Sequence, residues 1–428
     1  MFTPILLYID PGTGSMLFGI LIGIIGALTY LIRTWMVRLR FILTGGRSAE
    51  KNDDKLPLVI FSDDKRYWQV FEPVCRELDS RGMDAVYMTA SPDDPGLNNH
   101  YAHIRAEFIG ENNKAFAKLN LLNACIVLST TPGLDVYQWK RSKYVDHYVH
   151  MLHGPNEIAG YRMFGIDYYD ALLLSGEYQE RDARNLEKLR HLPSKEIVMI
   201  GIPYMDEMVK RLREAPELPA HERTVLLAPT WGESSIFSRF GERIIQALVD
   251  TGYRIIIRPH PQSFTSEAAM MDELMKKYPD SDRLSWNGDT DNFEVLRQSD
   301  ILISDFSGVT LEYAFVYDGP VIYADTEYDS SPYDVWWLDT PFWTLEALSR
   351  IGMKLTEDSL PGLKDMIDEC IDDPRYASER EAVRRETWVY PGEGAVRAAD
   401  YLIHKFEELS KEKDQGASGR QQECLSAM

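Results

Sequence analysis

Four short segments of the sequence place polar side chains directly after apolar runs that predict buried β-strands. They are MLHGPNE, LLAPTWGESS, RPHP and SDFSGVTLEYA, and they begin at residues 151, 226, 258 and 304. The carboxyl ends of parallel strands meet at one edge of a sheet, where such folds bind ligands. Imidazole, guanidinium and hydroxyl groups suit proton transfer and the binding of phosphoryl oxygens. The four segments therefore predict a site for a phosphorylated ligand.

The first two segments offer a base and a hydroxyl. His153 follows a strand and precedes the turn at Gly154, which leaves the imidazole at the edge of the sheet. Because an imidazole titrates near neutrality, His153 is a candidate general base, and a histidine bonded to a nearby carbonyl is the ordinary alternative. In the second segment Thr230 is a candidate ligand-binding residue, and a packed tryptophan with helix-capping serines is the alternative.

The last two segments are suited to binding an anion. Arg258 and His260 flank Pro259 in a loop after a strand, where both side chains are able to bind phosphoryl oxygens. The fourth segment enters a helix, whose free amides attract anions, and a capping box without a ligand is the alternative. A carboxylate one turn into that helix is suited to ribose hydroxyls. The candidate binding residues of this segment are Ser304, Asp305, Ser307, Gly308 and Glu312.

Composition limits the classes of protein that fit. The chain has 428 residues, enough for two domains, and 44% hydrophobic and 26% charged residues, which is typical of a globular protein. Its net charge of −21 argues against nucleic acid as a partner. The four cysteines are far apart and form no metal-binding motif, so we expect no metal and no cofactor.

Short apolar runs alternate with helical patterns, which predicts parallel sheets covered by helices. The expected fold class is α/β, with two Rossmann-like doubly wound domains. The predicted strands are 58–61, 85–88, 124–128, 148–152, 171–174, 196–200, 224–227, 253–257, 301–303 and 321–323. The predicted organisation is an N-terminal segment (1–43), a linker (44–57), a first domain (58–215), a second domain (220–409) and a disordered tail (410–428).

Residues 16–37 are almost continuously apolar and long enough to cross a membrane as a helix. Arginines follow this segment, and only Asp10 precedes it. The positive-inside rule then predicts a single-pass anchor in the inner membrane, with the large remainder in the cytoplasm. A cleaved signal peptide is the alternative, but the basic residues lie on the wrong side of the apolar run for one.

The four segments, in this order and in a two-domain setting, resemble the CDP-glycerol glycerophosphotransferase family of teichoic-acid polymer synthesis. The resemblance is most specific in the motifs MLHG, APTW, RPHP and SDFS. It implies a glycosyltransferase-B-type fold, a first domain for the acceptor, and a second domain for the nucleotide donor. It also implies transfer of glycerol phosphate from a CDP-linked polyol donor to a membrane-associated or glycan acceptor, with release of CMP.

The resemblance implies a role for several of these residues. His153 matches the histidine that acts as base on the acceptor hydroxyl. Arg258 and His260 match the loop that binds the donor phosphates. Ser304, Asp305 and Ser307 match the serine-rich donor loop. His153 and His260 are accordingly the predicted catalytic residues, and the others, together with Gly154, are predicted to bind substrate.

The chain departs from the family pattern at three places. The family usually has HGTP with a following lysine, whereas in this chain Pro155, Asn156 and Glu157 follow the HG pair. An arginine usually follows PTW, and Gly232 stands there instead; Arg239 and Arg162 are the candidates to substitute for it. The donor loop commonly has two adjacent serines, and Gly308 takes the second place.

Three functions fit these observations. The first is transfer of glycerol phosphate or a related polyol phosphate, which the two histidine loops and the anion site favour. The second is a nucleotide-sugar-dependent glycosyltransferase of the same fold, which the missing arginine favours. The third is a membrane-bound binding protein that has lost catalysis, which Gly232 also favours.

Overall fold

The computed structural model describes residues 55–289, 291–326 and 328–426, with the backbone alone from 413 onward. The predicted α/β class is confirmed, since these residues form two sheets in which every strand pair is parallel. The first sheet has the order β3-β2-β1-β4-β5-β6-β7 and the second the order β10-β9-β8-β11-β12-β13. The strands are β1 (Leu56–Ser62), β2 (Ala85–Thr89), β3 (Ile104–Phe108), β4 (Ala124–Ser129), β5 (Val145–Met151), β6 (Ala171–Leu174), β7 (Glu196–Met199), β8 (Thr224–Leu227), β9 (Arg254–Ile257), β10 (Leu284–Trp286), β11 (Ile301–Ser304), β12 (Val321–Ala324) and β13 (Gly352–Leu355).

Helices cover the faces of both sheets, as expected for doubly wound folds. The α-helices are α1 (Trp68–Ser80), α2 (Asn113–Leu119), α3 (Glu177–Arg190), α4 (Pro203–Glu214), α5 (Ile236–Phe240), α6 (Glu242–Asp250), α7 (Ser263–Ser266), α8 (Ala268–Lys277), α9 (Phe293–Arg297), α10 (Val309–Val316), α11 (Trp343–Ile351), α12 (Leu363–Asp372), α13 (Pro374–Thr387) and α14 (Gly394–Ser426). Short 3₁₀ helices occupy Lys65–Tyr67, Pro95–Asn98, Ile158–Gly160, Asp334–Trp337 and Glu357–Gly362.

All ten predicted strands are present, and three further strands, β3, β10 and β13, were not predicted. Each of the three lies at an edge of its sheet. An edge strand is paired on one side only and needs no continuous apolar run, and IRAEF, LSW and GMKL are short or mixed in polarity. The hydrophobic pattern therefore identified the interior strands and missed most of the edges.

The C-terminal helix α14 packs against α1 and β4 of the first sheet. Within it, Tyr401 Oη lies 2.9 Å from His147 Nε2, and Lys405 Nζ donates to Glu196 Oε1 at 2.7 Å. Residues that the sequence predicted to belong to the second domain thus contact elements of the first sheet. The same helix runs to Ser426, where the sequence predicted a disordered tail. The KEKDQGASGRQQE stretch is rich in helix-forming residues despite its two glycines, which accounts for the difference.

The predicted membrane anchor and most of the predicted linker lie outside the described residues. Across the helices that the structure does describe, none is both long enough and apolar enough to span a bilayer.

Glu157 forms a contact between the two halves of the structure. It is buried, and its carboxylate accepts hydrogen bonds from the amides of Trp343 at 2.7 Å and Thr344 at 2.9 Å, at the start of α11. The rings of Tyr178 and Trp343 stack beside this contact with centroids 3.9 Å apart. Burial raises the pKa of Glu157 to about 7. This carboxylate from the first half therefore caps a helix of the second.

Asp334 forms a second contact between the two halves. It is fully buried and accepts hydrogen bonds from the amides of Phe164 at 2.8 Å and Gly165 at 3.2 Å. Arg190, at the end of α3, pairs with both Asp334 and Asp167. Together the two contacts hold the carboxyl ends of the two sheets at a common cleft.

Replacing Glu157 by alanine leaves two buried amides without an acceptor, and each unsatisfied group costs about 1–3 kcal/mol. We expect Glu157→Ala to lower the free energy of unfolding by about 2–6 kcal/mol in urea titrations. Glu273→Ala, at an exposed position of α8, is the matched control. Equal stability of the two variants would contradict the capping role.

Candidate active site

The strand order reverses between β1 and β4 in the first sheet and between β8 and β11 in the second. Loops diverge at such a point and leave a crevice at the carboxyl ends of the strands. The loops that follow β1, β4 and β5 line one crevice, and those that follow β8, β9 and β11 line the other. The candidate site lies where these two sets of loops meet.

A cavity of about 240 Å³ lies between the two sets of loops. It brings together residues from the first sheet and several of the predicted residues of the second. Those that bear on its chemistry are Arg66, Tyr67, His153, Arg258, His260, Ser307 and Glu312. A larger cavity of about 700 Å³ involves α1, α4 and α13, but it contains no residue of the four motifs. The smaller cavity is therefore the candidate active site.

His153 lies on the first-sheet side of the cavity. Its Nδ1 is 3.1 Å from Thr130 Oγ1, and its ring packs on Tyr67 with centroids 5.2 Å apart. Burial, followed by the nearby Arg66 charge, lowers the pKa of His153 to about 4. The imidazole is therefore neutral at pH 7, and when Nδ1 donates to Thr130 the lone pair of Nε2 is available as a base.

His260 lies on the second-sheet side. The backbone amide of Gln262 donates to His260 Nδ1 at 3.1 Å. Nδ1 is thus an acceptor, so Nε2 carries the proton of the neutral ring and is a hydrogen-bond donor. Burial, followed by the Arg66 charge, lowers the pKa of His260 to about 4. The two histidines therefore offer complementary atoms, a basic nitrogen on one and an N–H on the other.

Arg258 and Glu312 lie beside His260. The terminal nitrogens of Arg258 donate to Asn287 Oδ1 and, at 2.8 Å, to the carbonyl of Asp289. Glu312 accepts from Asn292 Nδ2 at 3.2 Å. Burial raises the pKa of Glu312 to about 7, against the opposing effects of the Asn292 hydrogen bond and the Arg258 charge. Both side chains are held in place by neighbouring polar groups.

Ser304 and Asp305 are fully buried and hold the loop after β8 in position. Ser304 Oγ donates to the carbonyl of Ala228 at 2.7 Å. Asp305 accepts from the amide of Thr230 at 3.0 Å and from that of Ile236 at 3.2 Å. None of Ser304, Asp305 and Thr230 lines the cavity. Their predicted role in binding substrate remains a prediction, and their observed contacts join two loops of the site.

Gly232 has a positive φ of +93°, a conformation that favours glycine. Its amide donates to Glu267 Oε1 at 3.0 Å. An arginine at this place would be strained in the backbone conformation observed. Arg239 and Arg162, the predicted substitutes, are exposed, and neither lines the cavity.

The remaining departures from the family pattern, at Asn156 and Gly308, lie in contact with each other. A Cβ added at Gly308 would lie 2.7 Å from Asn156 Oδ1, which is closer than carbon and oxygen normally approach. Asn156 Oδ1 is buried and has no hydrogen-bond partner among the described residues. A Cβ added at Gly154 would lie 3.9 Å from Glu312 Oε1, so the HG turn also approaches helix α10 closely. Asn156 therefore occupies space that a second serine would need.

Sequence reasoning missed the loop after β1. Asp64 is the N-cap of the 3₁₀ helix Lys65–Tyr67 and accepts from the amide of Arg66 at 2.9 Å. The loop lies at the strand-order reversal, and both Arg66 and Tyr67 line the cavity. The signal was a run of charged residues, DDKR, directly after a strongly apolar strand.

The contact between Asn156 and Gly308 predicts coupled mutations. Gly308→Ala should lower the free energy of unfolding by about 1–3 kcal/mol, because the new methyl group overpacks against the Asn156 amide. Asn156→Ala should recover most of that loss in the double variant. Urea unfolding of the four proteins measures the coupling. Strictly additive effects would contradict the contact.

Comparison with known proteins shows that part of the chain matches a known family. Residues 166–335 match the family described as CDP-glycerol:poly(glycerophosphate) glycerophosphotransferase. The match includes the RPHP and SDFS loops and begins after His153. A teichoic acid glycerol-phosphate primase from Bacillus spizizenii is 28% identical over 143 residues, which is 31% of this chain and 34% of the primase. The match thus spans about a third of the length of that relative.

Solved structures show the fold. A wall teichoic acid polymerase, TagF, soaked with CDPG has a TM-score of 0.56 and 16% identity, over 89% of this chain and 98% of the other. A UDP-GlcNAc 2-epimerase from Methanocaldococcus jannaschii has a TM-score of 0.52 and 13% identity, over 81% and 99%. The predicted glycosyltransferase-B-type arrangement is confirmed at the level of the fold. The predicted resemblance of the chain to the CDP-glycerol glycerophosphotransferase family is likewise confirmed, through the family match over residues 166–335.

Proposed function

We propose that this chain transfers glycerol phosphate, or a related polyol phosphate, from a CDP-linked donor to an acceptor hydroxyl in cell-envelope polymer synthesis. The observation that carries the proposal is the cavity in which His153 of the first sheet faces His260, Arg258, Ser307 and Glu312 of the second. The family match supports the reaction class. The donor named in the family description supports CDP-glycerol as the first substrate to test.

The proposed reaction starts with proton removal. Nε2 of the neutral His153 takes the proton of the acceptor hydroxyl, whose oxygen attacks the phosphorus that carries the glycerol. The bond from that phosphorus to the bridging oxygen breaks, and its electron pair leaves with CMP. Phosphoryl transfer of this kind needs positioning and charge stabilisation rather than covalent help from the protein.

The donor is proposed to bind on the second-sheet side. The amides at the start of α10, near Ser307 and Gly308, are suited to the phosphate of the CMP moiety. His260 Nε2–H donates to a phosphoryl oxygen, and Arg258 supplies positive charge. Glu312, one turn into the helix, is proposed to bond the ribose hydroxyls, which either protonation state of its carboxyl is able to do.

The apolar segment 16–37 supports a location at the inner membrane, with residues 55–426 on the cytoplasmic side. A membrane-associated acceptor would then lie close to the active site. Protease protection of the N-terminus and of a C-terminal tag, in sealed vesicles of defined orientation, tests this topology. Both ends on the same side would contradict it.

CMP release by the full-length protein with CDP-glycerol and a membrane-fraction acceptor tests the proposed activity. We expect His153→Ala to reduce turnover about 10²- to 10⁴-fold, because it removes the general base. His221→Ala, an exposed histidine outside the cavity, is the matched control and should retain activity. CMP release that is unaffected by His153→Ala would contradict the proposed mechanism.

The same assay separates the alternative donors. Release of a nucleotide from UDP- or GDP-sugars, with none from CDP-polyols, would establish the glycosyltransferase alternative in place of this proposal. Folded protein that releases nucleotide from no donor would favour the non-catalytic alternative.

The pH dependence follows from the lowered pKa of His153. Because its pKa is about 4, the imidazole is a competent base at pH 7 and loses this capacity only as the pH falls through 4. We therefore expect kcat/KM to remain high down to about pH 5 and to fall below it. An acidic limb centred at the ordinary histidine value near 6.5 would contradict a buried base.

A further inference from the structure

The cavity contains a cation that neither the motifs nor the family match assigns. Arg66 belongs to the loop after β1, outside residues 166–335. It lines the cavity together with both histidines, and its charge is close enough to lower the pKa of each. The position where the family usually has an arginine, Gly232, has a backbone conformation that favours glycine. The protein therefore has a cation in the cleft, but it comes from a different loop.

Asp64 fixes the orientation of this guanidinium. Arg66 Nε donates to Asp64 Oδ1 at 2.8 Å, and Nη2 donates to Asp64 Oδ2 at 3.1 Å. Such a two-point contact holds the planar group in one plane. Nη1 has no hydrogen-bond partner among the described residues. In Arg258, by contrast, both terminal nitrogens already donate to protein oxygens.

The position of Arg66 determines which phosphate group of the proposed donor it would contact. The helix amides and His260 belong to the second sheet, where the nucleotide is proposed to bind. Arg66 follows β1 and lies on the same side as His153, which is proposed to activate the acceptor. A phosphoryl group in transfer lies between these two sides, with negative charge spread over its non-bridging oxygens.

We infer that Arg66, oriented by Asp64, contacts the phosphoryl group that is transferred and stabilises its charge in the transition state. The inference rests on the proposed function and deepens it. Nη1 donates to a non-bridging oxygen while the acceptor oxygen bonds to the phosphorus and the CMP oxygen leaves. Arg66 itself gains and loses no proton, so His153 remains the only base.

Nucleotide binding tests the inference without turnover. CDP carries a terminal phosphate in the place of the transferred group, whereas CMP lacks it. By calorimetry on the full-length protein, Arg66→Gln should weaken CDP binding about 10- to 100-fold, since a hydrogen bond to a charged group contributes about 1.5–3 kcal/mol. CMP binding should stay at the wild-type value, which also shows that the variant is folded.

Lys65→Gln is the matched control. Lys65 is the adjacent cation, it pairs with Asp93, and it does not line the cavity. This variant should retain the preference for CDP over CMP. Arg66→Lys keeps the charge but loses the two-point contact with Asp64, so it should recover part of the preference.

Turnover and its pH profile give a second measurement. Arg66→Gln should lower kcat about 10²- to 10³-fold, as expected for the loss of one preorganised donor to developing charge. It should also move the acidic limb of kcat/KM upward, because the Arg66 charge no longer lowers the pKa of His153.

An Arg66→Gln protein that keeps the wild-type preference for CDP over CMP would overturn the inference. So would an equal loss of CMP and CDP affinity, because that pattern indicates a nucleotide-binding or structural role. Failure of the proposed function gives a different result: the wild-type protein then releases no CMP from any CDP-polyol. If the wild-type protein bound neither nucleotide, both the proposed function and the inference would be overturned.

Discussion

Two crevices, one in each sheet where the strand order reverses, decide where the candidate residues of this protein lie. A parallel doubly wound sheet opens at its carboxyl edge only at that reversal. The loops that follow β1 and β5 and those that follow β9 and β11 therefore share one cavity, although they are up to about 240 residues apart in the chain. The Glu157 cap on α11 and the Arg190–Asp334 pair hold these edges against each other.

Charge inside the cleft differs from charge on the whole molecule. The net charge is −21, yet two arginines and two imidazoles line the cavity. Burial keeps both imidazoles neutral at pH 7, so the positive charge there comes from the arginines. A neutral histidine serves either as a base or as a donor, and the groups at Nδ1 of each ring determine which. The cleft thus combines local positive charge with an available base, as transfer of a phosphoryl group requires.

Much of the fold followed from hydrophobic pattern alone. Interior strands such as β4, whose six residues are all buried, have long apolar runs that cannot be mistaken for loops. The edge strands β3, β10 and β13 were missed because pairing on one side leaves their composition mixed. The return of α14 to the first sheet was also missed, since it depends on contacts such as that of Tyr401 with His147 and on no local signal.

The candidate site was only partly predictable. His153, His260 and Ser307 were identified from their places after strands, and the structure brings them into one cavity. Ser304 and Asp305 occupy equivalent places but face inward to bond backbone groups, and a sequence cannot show which side of a loop faces solvent.

Arg66 was overlooked for a related physical reason. A charged run after a strand is typical of an exposed turn. Only the strand order shows that this particular turn lies at the reversal of the first sheet.

A crystal structure of the protein with CDP bound would show directly whether the transferred phosphate lies between the two sheets. We expect the cytidine and its first phosphate against α10, near Ser307 and Glu312. We expect the terminal phosphate within hydrogen-bonding distance of His260 Nε2 and Arg66 Nη1, with His153 on the far side of that phosphate. A terminal phosphate directed away from Arg66 and His153, or a nucleotide bound in the larger cavity between α1 and α13, would contradict the proposed arrangement.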